Sequence, residues 1–212
     1  IDLNSQKTYL VDDNSTDYTI VISDTSSETE QFAASELSQF VLQATGVNIP
    51  IKNETEVSSD KIISIGNTQK FTGLNINLDP VEFNYDGFII KTKGNSIFIN
   101  GCNERAKLYG VYDFLERFVG VKFLAPDATY VPSIDELYVH QMDLKEVPLF
   151  RQRIYYNYSI KTSSLFGVRT RMYSDVSANE PRYGYEPEWY KGPSGTIHNI
   201  YDYVPKSEYF EE

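Results

Sequence analysis

The stretch from Arg105 to Glu116 (RAKLYGVYDFLE), with Gly120 and Val121-Lys122-Phe123-Leu124 behind it, constrains the fold more than any other part of the chain. Leu108, Val111, Tyr112, Leu115, Phe118 and Val119 recur at steps of three and four, which gathers them on one face of an α-helix. Glu104, Lys107, Asp113 and Arg117 fall mostly away from that face, so the spacing predicts a one-sided helix. Asn103 stands at the N-cap position and Gly120 can end the last turn in the left-handed conformation, after which the chain reads as a strand. Gly110, in mid-helix, costs roughly 1 kcal/mol against alanine. Its use there points to another backbone packed close by.

The remaining elements are read from their punctuation. Thr8 to Val11 and Tyr18 to Ser23 are strand-like runs separated by the polar turn Asp12-Asp13-Asn14-Ser15, a pattern that predicts a hairpin. Asp12, Asn14 and Thr16 alternate as in a calcium loop, but the glycine and distal glutamate such a loop requires are absent. Ser27 and Glu30 form a capping box that opens a helix with Ala33, Leu37, Phe40, Val41 and Ala44 on its apolar face and Gly46 at its end. Asn48 to Lys52 and Lys61 to Gly66 read as short strands, and Asn67 to Pro80 as connecting chain. Phe88 to Thr92 and Ser96 to Asn100 flank a Lys-Gly-Asn turn, a strong hairpin signal. Short strands come next, around Thr129 to Val131 and Glu136 to Val139, then a linker, Lys145 to Pro148. The expected fold is α+β: a mixed, largely antiparallel sheet with two helices packed on one face.

The chain changes character after that linker. From Glu146 onward there are 8 basic and 9 acidic residues, against 11 and 21 before it, and this last third holds 14 of the 30 aromatic residues. Two domains are therefore expected, 1–147 and 148–212. In the second, Phe150 to Asn157 reads as a buried strand, Ser163 to Tyr173 as a helix, and Asp175 to Pro205 as a long aromatic stretch of the kind that is often functional.

The net charge of −11 argues against a nucleic-acid partner, because such partners are held by clustered Lys and Arg, and no apolar run approaches the roughly 20 residues of a membrane span. The single cysteine, Cys102, has no internal partner and reads as a small packed residue. There is no HExxH, CxxC, Walker loop, GxGxxG or GxSxG elbow, so no cofactor and no metal is expected. Asn14, Asn53 and Asn157 lie in glycosylation triplets, which have meaning only in a eukaryotic secretory protein.

Glu36-Leu37, Thr45-Gly46, Ile65-Gly66, Asp86-Gly87-Phe88, Gly101 with Arg105, Leu108-Tyr109-Gly110-Val111-Tyr112, Phe114-Leu115-Glu116, and Gly120 with Phe123-Leu124-Ala125-Pro126 together carry a family resemblance. Residues 18 to 150 resemble the N-terminal domain that precedes the catalytic barrel in α-glucuronidases of glycoside hydrolase family 67. A similar domain precedes the barrel in family 20 β-hexosaminidases and in a group of bacterial polysaccharide-degrading proteins. The resemblance implies a non-catalytic domain that supports the barrel, with 148–212 as the beginning of a (β/α)8 barrel. It also implies a secreted, periplasmic or cell-surface setting and, as partners, a polysaccharide or oligosaccharide and the rest of the barrel. Pro148 to Asn157 sits where the barrel's first strand would begin, Phe166 to Arg171 resembles the helix after it, and Gly195-Thr196-Ile197-His198 resembles a loop over the barrel's C-terminal face.

Glycoside hydrolysis by the common route uses two carboxylates flanking the sugar, carried in a barrel by later strand ends, so no catalytic acid or base is assigned and this chain alone is expected to be inactive. Glu180, Glu186 and Glu188 read as solvated acids. The candidate substrate-binding residues are His198, whose imidazole can hydrogen-bond a hydroxyl; Arg169 and Arg171, whose guanidinium forks match a uronate or a barrel carboxylate; and Trp189, Tyr185 and Tyr190, whose rings can stack on a pyranose. Each has a plain alternative as a surface or core side chain. Two rivals to the supporting role stand beside it: a carbohydrate-binding module that uses the aromatic tail, and a structural domain that docks a separate protein.

Overall fold

The computed structural model describes residues 1–150, 153, 163–172 and 180–184. Its centre is a six-stranded sheet built from β2 (Thr19–Ile22), β3 (Ile51–Asn53), β4 (Ile62–Ile65), β5 (Phe88–Lys93), β6 (Ser96–Gly101) and β10 (Asp143–Glu146), in the order β10-β5-β6-β4-β2-β3. Neighbours among β3, β2, β4 and β6 run parallel, while β5 and β10 run antiparallel, so the sheet is mixed. The β5–β6 hairpin forms as expected, with Lys93 opposite Ser96 and Gly94 at φ 60° in the two-residue turn.

The parallel half departs from the sequence reading. β1 (Thr8–Val11) does not pair with β2; it pairs antiparallel with β9 (Leu137–Val139), Thr8 facing Val139, in a separate two-stranded sheet. β2 is buried at Ile20, Val21 and Ile22 and β4 along its whole length, the mark of strands covered on both faces, as parallel strands under crossover connections are. The expected linker, Lys145 to Pro148, is corrected in its first half: Lys145 and Glu146 belong to the edge strand Asp143–Glu146 beside β5, whose polar residues suit an edge. β7 (Lys122–Ala125) and β8 (Ala128–Tyr130) form a third, two-stranded sheet.

Helices α1 (Glu28–Thr45) and α3 (Glu104–Phe114) pack together over one face of the large sheet, where Ile20, Ile22, Ile63, Ile65, Ile97 and Ile99 meet Leu37, Val41, Leu108 and Val111. Strand alternation sends Ile89 and Phe98 to the other face, covered by Phe71 of the short α2 (Gln69–Thr72) and by Phe83. The stretch from Asn67 to Pro80, read as plain connecting chain, therefore includes a turn of helix that closes the second face.

The expected capping box holds: Ser27 Oγ accepts from Glu30 N at 3.1 Å and Glu30 from Ser27 N at 3.0 Å, and Gly46 ends α1 at φ 75°. Asn103 caps α3, its Oδ1 accepting from Ala106 N at 2.7 Å. Beyond Phe114 the helix widens into a π-turn, Leu115–Val119, in which Gly120 N and Val121 N both donate to Leu115 O before Gly120 stops it at φ 88°. The one-sidedness expected of α3 is not found. Arg105 through Phe114 are all buried, including Arg105, Lys107 and Asp113, because α3 is covered by the sheet, by α1 and by segments from beyond residue 147. The close approach at Gly110 comes from side chains rather than a backbone: a Cβ there would lie 2.8 Å from Ile99 Cγ2.

The described segments past residue 147 pack on the outer side of the helices. Ser163 caps α4 (Ser164–Arg169) where a helix was expected, Val168 and Tyr183 join the main core, and Gly184 lies against Glu104 and Arg105. The strand expected over Phe150 to Asn157 lies outside the described residues apart from Phe150 and Arg153. No helix among the described residues is long and apolar enough to cross a membrane.

Candidate functional site

Among the described residues, a dense set of buried charges lies on the outer side of the α1–α3 layer. Glu36 is central on α1, with Ala33 three residues before it and Phe40 four after, so it lies on the apolar stripe of its helix. Its two carboxylate oxygens accept from Arg169 Nε at 2.9 Å and Nη2 at 3.0 Å, and Oε2 also accepts from Tyr112 Oη at 2.9 Å. The Arg169 guanidinium lies 5.1 Å from the ring centre of Phe40 and 5.3 Å from that of Phe123, and Phe123 stands edge-on to both Phe40 and Tyr112. Burial, reinforced by the Glu36 charge, pushes the Tyr112 phenol well above its ordinary value, so it stays a donor.

A second cluster is built on Asp86, fixed by the tight turn before β5. A Cβ on the next residue, Gly87, would lie 2.7 Å from Phe83 O and 2.8 Å from Glu146 O. Asp86 Oδ1 accepts from Arg105 Nε at 3.1 Å and Nη2 at 2.7 Å, and Oδ2 from Arg153 Nη2 at 2.7 Å. Both guanidiniums lie within 6 Å of the Tyr109 ring, at 5.9 and 5.8 Å. Burial pushes the Tyr109 phenol up to about 12, with the two arginines opposing and Asp86 reinforcing the shift.

At the N-terminal ends of α1 and α3, Glu30 accepts from Lys107 Nζ at 2.9 Å and from Asn67 N at 3.2 Å, while Lys107 also pairs with Glu104. Thr29 Oγ1 donates to Pro181 O at 2.8 Å, which ties the 180–184 segment to the same corner. At the opposite end Arg171 pairs with Glu116, and Arg117 bridges Asp113 and Glu146 at 2.6 Å each. Burial raises the Asp113 carboxyl above its ordinary value despite Arg117. A cleft of about 340 Å³ opens among Tyr109, Asp113, Arg117, Arg153 and Arg171.

Among the described residues, every buried carboxylate, Glu30, Glu36, Asp86 and Asp113, thus has a cationic partner. Such pairs tie the elements that carry them together, and Asp113, which lines the cleft with its carboxyl raised by burial, is held by Arg117. Of the six substrate-binding candidates, Arg169 and Arg171 are brought to this face and engage Glu36 and Glu116. His198, Trp189, Tyr185 and Tyr190 lie outside the described residues, as do Glu186 and Glu188, while Glu180 is exposed and pairs with Arg182 at 2.6 Å. Sequence reasoning gave Glu36, Asp86, Tyr112 and Arg153 no part in a binding site: Glu36, Asp86 and Tyr112 entered through the family resemblance, Tyr112 also as an apolar-face residue, and Arg153 within an expected strand. The signal for Glu36 was an acid in register with the apolar positions of its helix.

Residues 5–114, just over half of the chain, match the model of the glycosyl hydrolase family 67 N-terminus. A probable alpha-glucuronidase A of Neosartorya fischeri is 27% identical over 125 residues, 58% of this chain and 15% of that protein. The alpha-glucuronidase A of Emericella nidulans is 29% identical over 113 residues, 52% of this chain and 13% of that protein. The matched stretch is thus a small part of these fungal relatives' length. Among solved structures, a family GH115 4-O-methyl-alpha-glucuronidase with specificity for decorated arabinogalactans aligns with a TM-score of 0.49 at 14% identity, covering 65% of this chain and 18% of that one. On the family match, the chain belongs to the N-terminal domains of glycosyl hydrolase family 67.

Proposed function

We propose that this chain is the non-catalytic N-terminal domain of a secreted or periplasmic glycoside hydrolase acting on a polysaccharide, and that it supports the catalytic barrel next in the polypeptide. The observation that carries the reading is the pairing of each described buried carboxylate with an arginine or lysine: these acids lock segments onto the helical layer. Family membership, with relatives named as alpha-glucuronidases, supports the substrate class. The test compares the purified 212-residue chain with the polypeptide extended along its natural reading frame, on xylan, pectin and mucin oligosaccharides. Sugar release by the extended polypeptide alone is the expected result. Release by the chain itself, lost on substituting one of its own acids, would overturn the reading.

A second reading, a domain that docks a separate protein, is favoured by the exposure of Leu149 (91%) and Phe150 (72%) next to β10. It predicts that Leu149→Asp with Phe150→Asp abolishes partner capture and leaves folding intact.

A further inference from the structure

The Glu36 site has the makeup of a recognition pocket for one kind of group. A carboxylate whose side chain is 5% exposed lies at its base, Tyr112 Oη holds one of the two oxygens, and the rings of Phe40 and Phe123 flank the cation. A flat, delocalised cation with parallel N–H donors satisfies both demands, forking onto the carboxylate while lying against the rings. An ammonium can satisfy only one of them.

We propose that Glu36, Tyr112, Phe40 and Phe123 form a guanidinium socket on the helical layer, and that Arg169 is its resident plug, the positioning residue that fixes segment 163–172 on this domain. The proposal rests on the scaffold reading above and names the contact through which the scaffold would hold the chain beyond it. The site differs from its neighbours in the partners left when the arginine is removed. Asp86 without Arg153 keeps both bonds from Arg105, and Arg171 and Glu116 are both partly exposed. Glu36 without Arg169 keeps one neutral phenol, and a buried carboxylate so stripped is costly. Val168 packs in the core immediately before Arg169, so the plug and an apolar anchor act on the same turn of helix.

The test is amide hydrogen exchange of the full chain, read at Gly167, Thr170 and Met172, whose N–H groups bond Ser163 O, Phe166 O and Gly167 O. In Arg169→Ala these amides exchange roughly a hundredfold faster than in the wild type, by the penalty of unpairing a buried charge. Ethylguanidinium at millimolar concentration restores their protection, ethylammonium does not, and Arg169→Lys remains fast. Should Arg169→Ala not fold, Glu36→Gln, which keeps the shape of the side chain, is expected to release the same amides while α1 and α3 stay protected. Unchanged exchange in either variant, or equal rescue by the ammonium, would overturn the socket. The readout uses this chain alone, so a failed socket leaves the hydrolase assignment standing. Absence of sugar release from the longer polypeptide would likewise leave the socket standing.

Discussion

The carboxylate of Glu30 occupies the space into which a side chain on Gly66 would grow: a Cβ there would lie 1.9 Å from Glu30 Oε1. Gly66 sits at φ 76°, a conformation that costs an L-residue about 1–2 kcal/mol by itself. Gly46 has nearly the same φ, 75°, with open space around it. Gly46→Ala is therefore expected to lose only the backbone cost, about 1 kcal/mol. Gly66→Ala must also displace a carboxylate held by Lys107, Asn67 N and Ser27 N, so its loss should reach about 3 kcal/mol or more. Urea unfolding of the full chain measures both. Equal losses would mean that Glu30 swings aside freely and is not the tie between α1, α3 and the turn after β4.

Gly110 tests how tightly α3 sits on the sheet. Alanine gains roughly 1 kcal/mol of helix propensity, while forcing a methyl against Ile99 Cγ2 and Phe88 Cδ2, at 2.8 and 3.4 Å, costs about 1–3 kcal/mol. The net effect of Gly110→Ala is expected to be a destabilisation of about 1 kcal/mol. Leucine at position 99 lacks the branch methyl, so Gly110→Ala with Ile99→Leu should be less destabilised than the sum of the two single changes. A strictly additive double variant would contradict the contact.

How far the fold could be read ahead depends on the range of each signal. The capping box at Ser27, the left-handed stops at Gly46 and Gly120 and the Gly94 turn are local, and each is found where its few residues place it. The pairing of β1 joins residues some 130 positions apart, and the polar turn at Asp12 to Ser15 suggested a nearer partner. For α3 the period was read correctly but the surroundings were not. A charged residue looks solvent-facing until a distant counter-charge, Glu30 for Lys107 or Asp86 for Arg105, stands beside it. The candidate site was legible only in Arg169 and Arg171, chosen for a uronate or a barrel carboxylate and here paired with Glu36 and Glu116.

Asp86 serves two arginines of unequal importance. Arg105 donates twice and is itself buried, whereas Arg153 donates once and is about a fifth exposed. Arg105→Met leaves a buried carboxylate with a single cationic bond, and is expected to cost about 3–5 kcal/mol. Arg153→Met leaves the Arg105 fork intact and should cost about 1 kcal/mol. Denaturant midpoints at neutral pH read both. If the Arg153 variant were the weaker fold, the Asp86 cluster would belong to the segment beyond residue 147 rather than to the domain itself.

Buried tyrosines, Tyr18, Tyr109 and Tyr112 among them, set the alkaline limit of the fold. Tyr109 and Tyr18 are each pushed up to about 12, chiefly by burial, and Tyr112 is pushed well above its ordinary value, again by burial first and then by Glu36. An unfolded tyrosine ionises near 10, so the folded state holds these protons over a window in which the unfolded state has released them. Their contribution is complete below about pH 10 and is lost as the pH climbs toward 12, at about 2–3 kcal/mol for fully buried Tyr109. Two of the three phenols are also donors, Tyr18 to Asn95 O at 2.8 Å and Tyr112 to Glu36, so ionisation would remove those bonds as well. A spectrophotometric titration of the full chain should show a late phase from these tyrosines that coincides with loss of helical ellipticity. Tyr109→Phe removes one titrating group, so its stability should fall less steeply above about pH 10 than that of the wild type. A late phase that precedes unfolding would show that water reaches these phenols in the native state, and that the layer between α3 and the segments packed on it is open.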